Sequence, residues 1–146
     1  GHPVTPIFTF DQDRDGTTDN EQRPNLKPGV TEVPRVSRLQ LFDPNLFELP
    51  AIGSRGSFGR NSIIGPGLFT FDASLAKKFF LNTDHTRSVQ LRLESFNLFN
   101  RANFALPTVG NLTVFNSATE RNATAGQITG TSTPGRQLQA ALRISF

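Results

Sequence analysis

Asp11-Gln-Asp-Arg-Asp-Gly16 sets three carboxylates at alternate positions, with a glycine directly after the third. Three hard oxygen donors at that spacing, followed by a sharp turn, open a calcium loop. Continued in register, the Thr17 carbonyl is the next ligand, and Asp19 binds directly or through water. Position twelve holds Gln22 where a bidentate Glu is usual, and the adjacent Glu21 is out of register. No helices flank the segment, so it is not an EF-hand. Two readings stand. One is a loop that takes Ca2+ as a cofactor through Asp11, Asp13, Asp15, Thr17 and Asp19; the other is a solvated acidic turn. Three aligned carboxylates repel one another unless a cation is present, which tips the balance toward calcium.

Other chemistry is sparse. Asn111-Leu-Thr113 and Asn122-Ala-Thr124 match the acceptor triplet for N-glycosylation. Such triplets are frequent by chance, and a bare polar loop is the plainer reading of each. His2 and His85 are far apart in sequence, in polar or terminal settings, and read as surface imidazoles. Ser54, Ser57 and Ser62 sit among glycines but form no G-x-S-x-G elbow, and the Gly-rich run 53–67 lacks the ending of a phosphate-binding loop. The chain therefore reads as non-enzymatic.

Composition narrows the class. At 146 residues the chain is one domain or part of one. Its hydrophobic content of 36% lies below the usual globular share of about 45–50%, which predicts no large core. Phe supplies every aromatic side chain, with no Trp or Tyr. The net charge is +3 and there is no Lys/Arg-rich run, so nucleic acid is not an expected partner. Zero Cys excludes disulfides and thiolate chemistry. No apolar run reaches the length of a membrane-spanning helix. The chain begins at Gly1 rather than Met, as a processed or partial chain would.

The elements that position these residues are strands. Leu138, Ala140, Leu142, Ile144 and Phe146 alternate with Gln137, Gln139, Ala141, Arg143 and Ser145 in an unbroken period of two. The length suits a tilted membrane-spanning β-strand of about 9–11 residues. Upstream, 68–81 places Phe69, Phe71, Ala73 and Leu75 opposite Thr70, Asp72, Ser74, Ala76 and Lys78. A polar turn over 82–87 leads to a strand over 88–100, where Val89, Leu91 and Leu93 alternate with Gln90, Arg92 and Glu94. The apolar phase then slips to Phe96 and Leu98, which predicts a β-bulge near Ser95. Asp72 and Glu94 fall on the polar side, where Lys78, Arg92 and Arg143 can pair with them. Val4–Phe10 is a short β-prone segment limited by Pro6. Residues 11–66 and 101–135 read mostly as loop, with a brief strand at 38–41 and a turn over 42–47 that tucks Phe42 and Phe47 inward. The expected fold is all-β, with antiparallel strands and long loops. The expected organisation is one partial β-domain over 1–146: a strand plus an acidic, Pro/Gly-rich loop region over 1–66, and a three-strand unit over 67–146.

One short connection between two long ones matches the short periplasmic turns and long extracellular loops of outer-membrane barrels. Glu94-Ser-Phe-Asn-Leu-Phe-Asn100 resembles the penultimate strand of TonB-dependent outer-membrane receptors. Gly59-Arg-Asn-Ser-Ile-Ile-Gly-Pro-Gly67 with Leu68-Phe-Thr-Phe-Asp-Ala-Ser-Leu75 resembles the preceding segment in those with a carboxypeptidase-regulatory-like amino-terminal domain. Arg101-Ala-Asn-Phe104 and the closing Phe146 extend the likeness. The resemblance implies the last four strands of a plugged barrel of about 22 strands. It also implies a bacterial outer-membrane location and a role in importing large nutrients. The partner is then the rest of the barrel, with TonB engaged through regions that this chain lacks.

Four strands cannot close a barrel, and both end strands would expose unpaired backbone groups. This sets a rival expectation. A stand-alone fragment of such a receptor would pair edge to edge with other copies of itself, forming an extracellular filament or other structural polymer.

Overall fold

The computed structural model describes residues 1–17 and 22–146, so Asp19 and Glu21 of the acidic segment lie outside the described residues. In chain order its elements are β1 (Pro3–Val4), β2 (Ile7–Phe8), β3 (Asn25–Leu26), a 3-10 turn (Pro44–Leu46), β4 (Phe47–Glu48), β5 (Ile63–Ile64), β6 (Ala73–Phe80), β7 (Ser88–Phe96), a one-turn helix α1 (Val109–Leu112), β8 (Thr113–Phe115) and β9 (Gln137–Ser145). The chain is all-β, as its alternation predicts. Its strand pairs are antiparallel except β2 with β8. Two compact units emerge: Gly1–Gly67 with Phe104–Ser132, and Leu68–Asn103 with Thr133–Phe146.

The first unit is built from loops around an aromatic core. The β-prone Val4–Phe10 segment divides at Pro6, whose missing N–H interrupts a ladder. Its first half, β1, pairs with β5, and its second half, β2, pairs with β8. Ladders of two residues hold little by themselves, so side-chain burial carries the unit. Phe42 and Phe47 are completely buried, as the sequence predicts for the turn between them. Asp43 caps that turn by accepting the Asn45 N–H at 2.8 Å, and Pro44 stands at its first position. Phe47 meets Phe42 and Phe58 edge to face, with centroids 5.6 and 5.2 Å apart. Arg121 donates to the carbonyls of Pro44 and Phe47, and its guanidinium lies 4.5 Å from the Phe115 ring centre. The expected strand at 38–41 shrinks to a bridge between Gln40 and Gln127, with Leu41 N–H donating to the Gly126 carbonyl at 2.7 Å. Gly126 sits at a φ of +82°, and a Cβ there would strike the Phe42 carbonyl. A low hydrophobic share thus still yields a core, in which Phe8, Phe42, Phe47, Phe58 and Phe115 pack with Val4, Leu41, Ile63, Val114, Ala125 and Ile128.

The second unit is a three-stranded antiparallel sheet in the order β6-β7-β9. It begins at Ala73, later than the pattern from Leu68 suggests. β7 ends at Phe96, and no bulge occurs near Ser95: the β6–β7 ladder keeps its register up to that residue and the β7–β9 ladder through it. The apolar phase slips because the strand stops. Asn97 takes a φ of 51° and turns the chain out of the sheet. At the other end β6 and β7 are joined by a tight turn. Asn82 holds it by accepting the Arg87 N–H at 2.9 Å and donating to Thr86 Oγ1 at 2.6 Å.

Candidate functional site

Cross-strand register decides what the sheet offers. Phe79, Val89 and Ile144 stand side by side; so do Lys77, Leu91 and Leu142, then Leu75, Leu93 and Ala140, then Ala73, Ser95 and Leu138. All twelve project to one face, because side chains alternate and the ladders keep step. The opposite face carries Ser74, Ala76, Lys78 and Phe80 beside Ser88, Gln90, Arg92, Glu94 and Phe96, and then Gln137, Gln139, Ala141, Arg143 and Ser145. The apolar face is open: Leu75 is 70% exposed and Leu138 73%. An exposed apolar surface of this kind marks a contact with lipid or protein.

The ends of that face are marked too. Phe71 and Phe99 pair with ring centres 5.5 Å apart, and the Arg101 guanidinium lies 5.4 Å from the Phe69 ring centre. At the turn end, Lys77 Nζ lies 5.2 Å from the Phe79 ring centre. A long cation on an apolar face, near the strand end, can bury its stem and lift its charge toward water. Aromatic rings at both ends of an apolar band are the barrel girdle arrangement, met here by Phe alone. β7 and β9 are nine residues each. At about 3.3 Å per residue and a tilt near 40°, such strands span close to the 25 Å apolar band of a barrel.

On the polar face Arg92 pairs with Glu94 at 2.5 Å, so Glu94 finds one of the partners its position predicts. Asp72 does not join them; it accepts the Asn97 N–H at 2.9 Å. Asn97 and Asn100 lie in the Glu94–Asn100 motif, and Asn103 lies in the Arg101–Phe104 stretch that follows it. The Asn97 side chain donates to the Arg101 and Pro134 carbonyls at 3.0 and 3.2 Å and accepts the Arg101 N–H at 3.0 Å. Asn100 accepts the Arg136 N–H at 3.0 Å. Asn103 accepts the Phe69 N–H and donates to Thr133 Oγ1, both at 2.9 Å. Asn97, Asn100 and Asn103 thus tie the lead-ins of β6 and β9 to the segment after β7.

The acidic segment does converge: ligand atoms of Asp11, Asp13 and Asp15 lie within 4.8 Å of one another. Each carboxylate already has protein donors. Asp11 accepts the N–H groups of Asp15 and Gly16 at 3.1 Å. Asp13 takes Gln22 Nε2 at 3.0 Å and Arg55 Nε at 2.8 Å. Asp15 takes the Thr17 N–H and hydroxyl at 2.8 and 2.7 Å, and Arg55 Nη2 at 2.8 Å. These Thr17 bonds, and then Arg55, hold the Asp15 carboxyl below its usual range, while the two aspartates raise Arg55. The donor set suits a hard cation, but a calcium ion would have to displace Arg55. Both sequon amides are likewise engaged. Asn111 Nδ2 donates to the Gln127 carbonyl at 2.8 Å, and Asn122 Nδ2 to those of Gly110 and Thr113 at 2.8 Å. His85 lies in the β6–β7 turn, its ring 4.2 Å from that of Phe80.

A two-faced antiparallel sheet with membrane-length strands and an open apolar face is the wall of a membrane β-barrel. A family model described as an outer membrane beta barrel domain matches residues 1–139, and the chain belongs to that family. Comparisons with curated proteins and with solved structures found no match. Among the described residues no helix is long and apolar enough to cross a membrane.

Proposed function

We propose that this chain is the carboxyl-terminal barrel segment of a TonB-dependent receptor-like transport protein of the bacterial outer membrane. The observation that carries the reading is the register of β6, β7 and β9, which sorts apolar side chains to one exposed face and polar ones to the other. In such a barrel the apolar face meets lipid and the polar face lines the lumen. The short turn after β6 then lies on the periplasmic side, and the long connections over 11–66 and 101–135 lie outside the cell. The role is import and not catalysis. The test is to locate the full-length protein: sedimentation with outer membranes, extraction only by detergent, and a gel mobility that shifts on heating are expected. Recovery from the aqueous phase without detergent would overturn the reading.

A second reading rests on a different feature. Among the described residues β6 and β9 each have one edge without a strand partner, and neither strand contains a proline. Copies of this chain could pair along those edges into an extracellular polymer. Negative-stain images of detergent-free material would then show filaments; detergent-dependent particles would exclude them.

A further inference from the structure

The polar face of the sheet gathers its positive charges in one place. Lys78 and Arg143 flank Gln90 in one row, and Arg92 stands between Ala76 and Ala141 in the next. The Cα atoms of Lys78 and Arg143 are two strand spacings apart, about 10 Å, and Arg92 follows Gln90 along β7 by about 7 Å. Three long cationic side chains thus border one spot, floored by Gln90 and two alanines. Among the paired residues of this face Glu94 is the one carboxylate, so an excess of two positive charges remains. Glu94 is held by Arg92 on the side away from Gln90. Among the described residues neither Lys78 nor Arg143 has a carboxylate partner, and both are exposed. Lys78 Nζ lies 4.9 Å from the Phe80 ring centre, a weak hold at an exposed site.

We infer that Lys78, Arg92 and Arg143 form a subsite for a phosphate group of the imported substrate, whether free or as an ester. The inference rests on the barrel reading, which turns this face toward the lumen. Lumen charges set what a barrel passes, and Arg and Lys side chains there favour anions and phosphate. Two observations select phosphate over a carboxylate. The excess of two charges matches a phosphate ester, which carries about −1.5 to −2 at neutral pH, whereas a carboxylate brings a single charge. The cations also approach from three sides, which suits a tetrahedral oxyanion; a planar carboxylate is satisfied by one guanidinium fork. Ala76 and Ala141 leave the room between the long side chains that such a group needs.

The test is isothermal titration of the full-length protein in detergent at low salt, with inorganic phosphate, glycerol 3-phosphate, acetate and glycerol. Both phosphates should bind about tenfold more tightly than acetate, and glycerol should give no heat. Lys78→Gln and Arg143→Gln should each weaken phosphate about tenfold. Lys77→Gln removes the same charge from the opposite face and should leave binding within about twofold. Glu94→Gln frees Arg92 and should tighten phosphate severalfold, a gain that a damaged fold would not give. Tighter binding of the ester supports a phosphorylated substrate, and tighter binding of inorganic phosphate supports the free ion. Acetate bound as tightly as phosphate overturns the assignment to phosphate. No phosphate heat from protein whose gel mobility still shifts on heating overturns the subsite and leaves the barrel reading standing. Protein recovered from the aqueous phase without detergent overturns the barrel reading and the lumen subsite with it.

Discussion

At Asn97 a φ of 51° coincides with hydrogen bonds to Asp72, Arg101 and Pro134. Two substitutions separate conformation from bonding. Asn97→Gly keeps the left-handed backbone and loses the side-chain bonds, at a cost of about 1–3 kcal/mol. Asn97→Ala loses the bonds and also strains the backbone, for about 1 kcal/mol more. Denaturant titration of the folded protein in detergent should rank them in that order. The acidic loop has its own signature. A lowered Asp15 carboxyl favours the folded loop at neutral pH, above the unfolded value of about 3.9. That contribution is lost only as pH falls through the lowered folded value. Thr17→Ala removes the largest cause, so hydrogen exchange over 11–17 should accelerate at a higher pH in the variant than in the parent. Calcium would compete with the Arg55 guanidinium, so Arg55→Gln should increase the heat of calcium binding in isothermal titration. No heat from either protein at millimolar calcium would remove the calcium reading. The aspartates and Gly16 were legible from their spacing, because the chemistry is local. Arg55 was not: its countercharge comes from forty residues further on.

Among the elements, β6, β7 and β9 show how far alternation reaches. Period two assigns Ala73 to Ala76, Lys78 and every residue from Gln137 to Ser145 to the correct face, since one pleat fixes them all. It fails at Phe96, where a left-handed asparagine and not an extra residue ends the strand. Counting apolar positions cannot distinguish those two causes of a phase slip. The two faces make a paired prediction. Leu93→Lys puts a charge on the apolar face between Leu75 and Ala140 and should destabilise the bilayer-inserted protein by about 2–4 kcal/mol. Gln90→Lys, on the polar face, should stay within about 0.5 kcal/mol. Unfolding of the full-length protein from vesicles compares them; equal costs would remove the distinction between a lipid face and a lumen face.

For the molecule as a whole, the hidden feature was the first unit. Long Pro- and Gly-rich connections read as loop, and nothing in their local pattern signals that Phe8, Phe42, Phe47, Val114 and Ile128 share a core. Residues so far apart meet only through tertiary packing, which has no period to detect; only the Phe42–Phe47 pair, close in sequence, was foreseen. The consequence is that these connections should behave as a folded body with its own stability. Phe47 is central to it, fully buried and edge-on to two other rings. Phe47→Ala removes a ring that the surroundings cannot replace, and should cost the unit about 3–5 kcal/mol. Hydrogen exchange on the full-length protein reads this locally. The amides of Phe8, Leu41, Phe58 and Ile128, which bond to Gln22, Gly126, Pro24 and Leu39 respectively, should lose protection together. The ladder amides of β7, bonded within a separate sheet, should keep theirs. Fast exchange at the first four amides in the unaltered protein would show that the long connections are loops after all, and a joint loss in β7 would show that the two units unfold as one.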